Sequence, residues 1–198
     1  MAGLLCEKGK NMKNSTIAGT TFRFLGAGAM LWTLITPCAV AGPEQDAELA
    51  LKEFNRGDLI VAITLWRKSA QEGYAPAQVW LGDILDKAEE DVEAADWYRK
   101  AADQGNADGE FGLGQMFLKG EGVKKDFEKG RVYILRSAEK NNVYALKMMM
   151  EAYRNGGMGL PVDVAQADAW EAKLIAASPE YKPTPAKEAV KEKKAGTQ

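Results

Sequence analysis

Trp97-Tyr98-Arg99-Lys100-Ala101-Ala102-Asp103-Gln104-Gly105-Asn106-Ala107 is the stretch on which the reading of this chain turns. A counterpart in kind lies 32 positions earlier, at Leu65-Trp66-Arg67-Lys68-Ser69-Ala70-Gln71-Glu72-Gly73. Another lies 36 positions later, at Tyr133-Ile134-Leu135-Arg136-Ser137-Ala138-Glu139-Lys140-Asn141. Leu81-Gly82 recurs as Leu113-Gly114, and Gly120-Glu121-Gly122-Val123-Lys124-Lys125-Asp126 returns as Gly157-Met158-Gly159-Leu160-Pro161-Val162-Asp163. Trp170 then stands where Tyr133 did. The first copy has a shorter connector, Asp86-Lys87-Ala88-Glu89, which accounts for its smaller offset. Self-similarity at such a period marks stacked repeats, each a supersecondary unit that cannot bury its apolar face alone.

Local signals place two helices in each period. Asp58, Asp126 and Asp163 precede apolar-periodic stretches, where a short carboxylate can accept the first free backbone N–H groups. Gly73 and Gly105 close the first helix of a pair, with Asn141 in the third such place, and Asn106 and Asn142 open the second. Small residues at Ala70, Ala102 and Ala138, and at Ala77, Gly109 and Ala145, let helices approach closely. Leu65, Trp97 and Tyr133 fill one helix, and Leu81, Leu113 and Met149 the other. The segment Gln45–Asn55 is expected to cap the N-terminal end as a helix, and Val164–Ser178 the other end.

The run from Trp97 to Ala107, then Leu113-Gly114 and Gly120 through Asp126, resembles the Sel-one-like repeats, relatives of the tetratricopeptide repeats. The resemblance covers residues 58–178, with Met150 in place of the second residue of the Leu-Gly pair and Asn141 in place of a glycine. It implies an all-α fold: a right-handed α-α superhelical solenoid of about three helix-pair repeats between capping helices. It also implies an adaptor or scaffold of the cell envelope. The expected organisation is a signal peptide at 1–41, a capping helix at 42–57, the solenoid at 58–178 and a disordered Pro/Lys-rich tail at 179–198.

The N-terminus reads as an address. An uncharged, mostly apolar run over residues 24–37 follows Lys13 and Arg23 and leads to Ala39-Val40-Ala41, the order of a cleavable secretory signal. The expected cut falls after Ala41, giving a periplasmic or secreted protein, and Met12-Lys13 offers a more typical start than Met1. An uncleaved anchor is a competing reading; a lipoprotein would need a small residue where Pro37 precedes Cys38. Cleavage would remove both cysteines, Cys6 and Cys38, and leave no transmembrane span.

Composition excludes much chemistry. None of the 198 residues is histidine, which removes His-based acid–base catalysis and histidine metal ligation. Without residues 1–41 the chain carries 22 basic and 27 acidic residues, an acidic body with no electrostatic reason to bind nucleic acid. No cofactor is expected. Met148-Met149-Met150 cannot converge on one ion, because consecutive helical residues point about 100° apart. Gly112-Leu113-Gly114 and Gly120-Glu121-Gly122 lack the strand and the Gly-Lys-Ser/Thr of a phosphate loop. Glu89-Glu90-Asp91 suits a helix start better than calcium.

Two features are candidates for partner binding. Trp66, Trp97, Tyr98, Tyr133 and Trp170 recur at repeat spacing and read as core, whereas Trp80 has no aromatic counterpart and reads as a surface contact. Lys68, Lys100 and Arg136 occupy one position in three successive repeats, so stacking would align them in a basic row for an acidic segment; a solvated face is the plainer reading. The expected function is binding of an extended protein or peptide partner by a monomeric, non-enzymatic scaffold. The alternative is a cell-wall-directed hydrolase, either β-lactamase-like or using a carboxylate pair. The relatives assigned β-lactam activity look stapled by a cysteine pair in each repeat, which this chain lacks.

Overall fold

The computed structural model describes residues 42–183, so the signal reading at 1–41 and most of the tail, from 184 onward, lie outside the described residues. Eight helices and no strand occur among them: α1 (Pro43–Arg56), α2 (Leu59–Gln71), α3 (Ala75–Lys87), α4 (Asp91–Asp103), α5 (Ala107–Lys119), α6 (Phe127–Glu139), α7 (Val143–Asn155) and α8 (Val164–Ala177). The expected all-α repeat solenoid is the observed fold. Each helix packs on the next in sequence, and α3 packs also on α5.

The caps act where the short side chains stand. Asp58, Asp126 and Asp163 accept the backbone N–H of Val61, Lys129 and Gln166, while Asn106 and Asn142 accept those of Gly109 and Ala145. Each bond satisfies one of the free donors at a helix start. The period also shows in tertiary hydrogen bonds. Ser69 donates to the carbonyl of Pro43 at 2.5 Å and Ser137 to that of Ala107 at 2.7 Å, in each case tying a helix end to the start of the helix before the pair. Asp126 N–H donates to Phe117 and Asp163 N–H to Tyr153, closing two equivalent connectors.

One register differs from the sequence reading. The counterpart of Gly120 is Gly156 rather than Gly157: both take left-handed backbone, φ 86° and 75°, and donate to the carbonyls of Met116 and Ala152. The second connector is therefore one residue longer. Met150 is accommodated where Gly82 and Gly114 stand because the helix facing it differs. Gly82 and Gly114 are pressed by Tyr98 and Ile134, whereas their counterpart Glu171 turns to Arg154, 3.0 Å away.

The core follows the expected faces. Trp66, Leu81, Leu113 and Ile134 have no exposed surface, and Trp97, Tyr98 and Trp170 are buried. Tyr133 is half-buried, its ring stacked on Phe117 at 5.8 Å. Burying such side chains contributes about 1.5–3 kcal/mol each, and the described residues contain no cysteine to add a disulfide.

Candidate functional site

The contact of α3 with α5 makes a groove on that side, lined also by α7. Glycine sets its geometry. A Cβ on Gly112 would lie 2.5 Å from the Tyr98 ring, and one on Gly82 would lie 2.8 Å from it. These two gaps let Tyr98 of α4 reach between α3 and α5, so that its hydroxyl donates to Asp83 at 2.7 Å. Burial and the adjacent Asp83 carboxylate push the Tyr98 hydroxyl far above its ordinary range. Burial likewise holds the Asp83 carboxyl above the usual carboxylate range; the Tyr98 hydroxyl and Lys87 oppose that shift, and Asp108 and Asp86 reinforce it.

The groove encloses about 460 Å³. Trp80, Asp83 and Asp86 enter it from α3, Asp108 and Phe111 from α5, and Tyr144 from α7. Trp80 is 38% exposed, and its ring is stacked on buried Trp66 with centroids 5.2 Å apart and planes within 6°. Phe54 backs the pair, 5.4 Å from Trp66 and 6.3 Å from Trp80. Trp80 is thus an exposed aromatic surface held rigid from behind. Phe111 and Tyr144 form a second aromatic wall, 5.9 Å apart. Asn142 donates to Asp108 at 2.6 Å and fixes that carboxylate.

The basic row is placed differently. Lys68 pairs with buried Asp46 at 2.6 Å, and Arg136 pairs with fully buried Glu110 at 2.7 Å, as does Lys140. Lys100 lies 3.6 Å over the Trp97 ring. None of the three lines the groove. Asp46, Gln78 and Glu110 recur every 32 residues and explain the pattern. Where that position is a carboxylate, the row's cation turns to it; where it is Gln78, the amide is met by Gln104 at 2.8 Å and Lys100 rests on an aromatic ring. This recurrence was available in the sequence but reads there as ordinary helix polarity, since only the fold shows these residues to be buried. Arg136 also borders a smaller recess of about 430 Å³ beside Phe117 and Tyr133.

Among the described residues, no group of three Asp, Glu, Cys or His converges to hold a metal ion, and no helix is long and apolar enough to cross a membrane. Met149 and Met150 are buried and belong to the apolar core.

Residues 75–106 and 107–142 each match the Sel1 repeat. The family's unit thus opens on α3 and on α5, two of the three helices that line the groove, and pairs each with the helix after it. The chain is 33% identical over 116 residues to chitin synthase regulatory factor 3 of Schizosaccharomyces pombe, a match covering 54% of this chain and 12% of that protein. The chain therefore spans a small part of that relative's length. Among solved structures it resembles c5321, a protective antigen of uropathogenic Escherichia coli with an SLR fold. The identity there is 29% and the TM-score 0.62, over 70% of this chain and 31% of that one. A Sel1 repeat protein from Oxalobacter formigenes shares the fold at 24% identity and TM-score 0.60, over 69% and 41%. Repeats of this kind are protein–protein interaction modules and generally non-catalytic. The two matched segments, 75–106 and 107–142, carry Sel1 repeats, in a fold shared with solved Sel1-repeat neighbours.

Proposed function

We propose that this chain is a scaffold module of the bacterial cell envelope that binds an extended segment of a partner protein along the groove of α3, α5 and α7. The observation that carries the reading is Trp80. A large aromatic ring, open on one side and stacked rigidly on Trp66 on the other, offers contact area at little ordering cost. Phe111 and Tyr144 extend the apolar wall, and the 460 Å³ between the walls suits side chains of an extended segment better than a flat patch would. The envelope part rests on the cationic, apolar and small-residue order of residues 13–41, and the similar c5321 is itself described as a protective antigen.

Both parts can be tested on one preparation. Protein recovered from an osmotic-shock fraction is expected to begin at Gly42 and to bind peptides selected from a displayed library. Trp80→Ala is expected to weaken the selected peptides by about thirtyfold, the effect of a tryptophan hot spot of about 2 kcal/mol. Full-length protein retained in the inner membrane would contradict export. Peptides that bind a folded Trp80→Ala variant as well as the parent would contradict the groove.

A further inference from the structure

We propose that the groove selects a lysine- or arginine-bearing extended segment, the cationic side chains lying between its aromatic walls and its carboxylates; this rests on the groove being the partner site. Three observations support the assignment.

The first is an imbalance of charge. Asp83, Asp86 and Asp108 all line the groove, and Lys87 is the one cation among the lining residues. Twelve ion pairs form among the described residues, yet none of them closes on any of these three carboxylates. Asp83 and Asp108 are instead held by neutral donors, the Tyr98 hydroxyl and the Asn142 amide. Neutral donors orient a carboxylate without cancelling its charge, so its attraction for a cation remains. Buried Asp46 and Glu110, by contrast, are neutralised within the fold by Lys68, Arg136 and Lys140.

The second is the arrangement of the charges. The three carboxylates do not converge as a metal site would require. Asp83 and Asp86 are three residues apart on α3 and so share a face, and Asp108 extends the series from the first turn of α5. Charges spread along a groove suit several cations on one extended chain, not a single ion.

The third is the aromatic content beside them. Trp80, Phe111 and Tyr144 present rings next to the carboxylates. Lysine and arginine match that combination, laying apolar stems on rings while their charged heads reach carboxylates. Entry of a cation would also relieve the mutual repulsion among Asp83, Asp86 and Asp108. An acidic segment would add to that repulsion, and a purely apolar one would desolvate the carboxylates without pairing them.

The test uses the full chain and three extended hexapeptides that alternate alanine with lysine, with glutamine or with glutamate, measured by calorimetry. The lysine peptide is expected to bind most tightly and the glutamate peptide least. Raising the salt from about 50 to about 500 mM is expected to erase most of the difference, because exposed charge attraction is screened. Asp86→Asn and Asp108→Asn are each expected to weaken the lysine peptide about two- to fivefold, in line with exposed ion pairs, while leaving the glutamine peptide unaffected. Trp80-dependent binding that ignores peptide charge, or is untouched by both asparagine variants, would overturn this assignment and leave the groove reading standing. Binding of no peptide, or binding indifferent to Trp80, would overturn both. Replacing Lys187, Lys191, Lys193 and Lys194 by glutamine in the full chain is expected to change nothing. A several-fold gain in affinity on that replacement would give the groove to the chain's own tail and overturn the assignment to a partner.

Discussion

Glu110 has no exposed surface and meets two cations, Arg136 and Lys140, each at 2.7 Å. Lys100, at Arg136's position in the preceding repeat, faces no buried carboxylate, because Gln78 stands where Glu110 would. The two cations look interchangeable in sequence, yet their surroundings call for different behaviour. Arg136→Glu sets a second negative charge against a buried one. Its expected cost is about 2–3 kcal/mol, below the 3–5 of a broken, fully buried pair because Arg136 is half exposed and Lys140 remains. Lys100→Glu loses a contact with the Trp97 ring and the attraction of Lys100 for half-exposed Glu93, and should cost about 1 kcal/mol. Urea unfolding of the two variants checks this, and equal losses would contradict it. A uniformly solvated row would have predicted negligible loss for both. The periodic lysines and arginine were legible as a row, but their partners were not. Asp46, Gln78 and Glu110 recur in the sequence, but burial of Asp46 and Glu110 depends on how α2 covers α1 and α6 covers α5.

At the scale of helices the sequence was most informative, because caps are local. Asp58, Asp126, Asp163, Asn106 and Asn142 each bond the backbone three residues on, which is a property of one turn and not of the whole fold. The slip from Gly157 to Gly156 arose where a connector gained a residue and similar glycines competed for one role. The short connector after α3 shows the opposite departure. Glu89 takes φ 61° there, left-handed backbone that disfavours a side chain with a Cβ. Glu89→Gly should remove about 1–2 kcal/mol of strain, offset in part by the greater freedom of glycine in the unfolded chain. The expected net gain is about 0.5–1 kcal/mol, seen as a melting temperature higher by about 2–4 °C at most. A lower melting temperature would show that Glu89 is held by contacts worth more than the strain. Tyr98 illustrates the limit of periodicity. Its spacing assigns it to the core, where it does lie, but the hydroxyl's reach to Asp83 through the gaps at Gly82 and Gly112 is set by packing between helices.

For the described molecule, stacking sets both the architecture and the surface proposed to bind. Each helix is covered by its neighbours in sequence, and the added contact of α3 with α5 brings residues from three repeats onto one surface. Pairing α2 with α3, as the repeat spacing first suggests, hides this, whereas the family's unit opens on α3 and on α5, two of the three groove-lining helices. Trp80 was legible as unusual because no other repeat carries an aromatic there; its companions Asp83, Asp86, Asp108, Phe111 and Tyr144 were not, since nothing in sequence spacing joins α3 to α7. On the proposed function, this surface and not the basic row receives the partner. The most direct measurement is backbone and indole chemical-shift mapping of the isotope-labelled chain titrated with a selected peptide. The largest shifts are expected at the Trp80 indole and along α3, α5 and the first turn of α7, with Lys68, Lys100 and Arg136 little changed. Shifts concentrated around Lys68, Lys100 and Arg136, with the Trp80 indole unmoved, would contradict the groove reading.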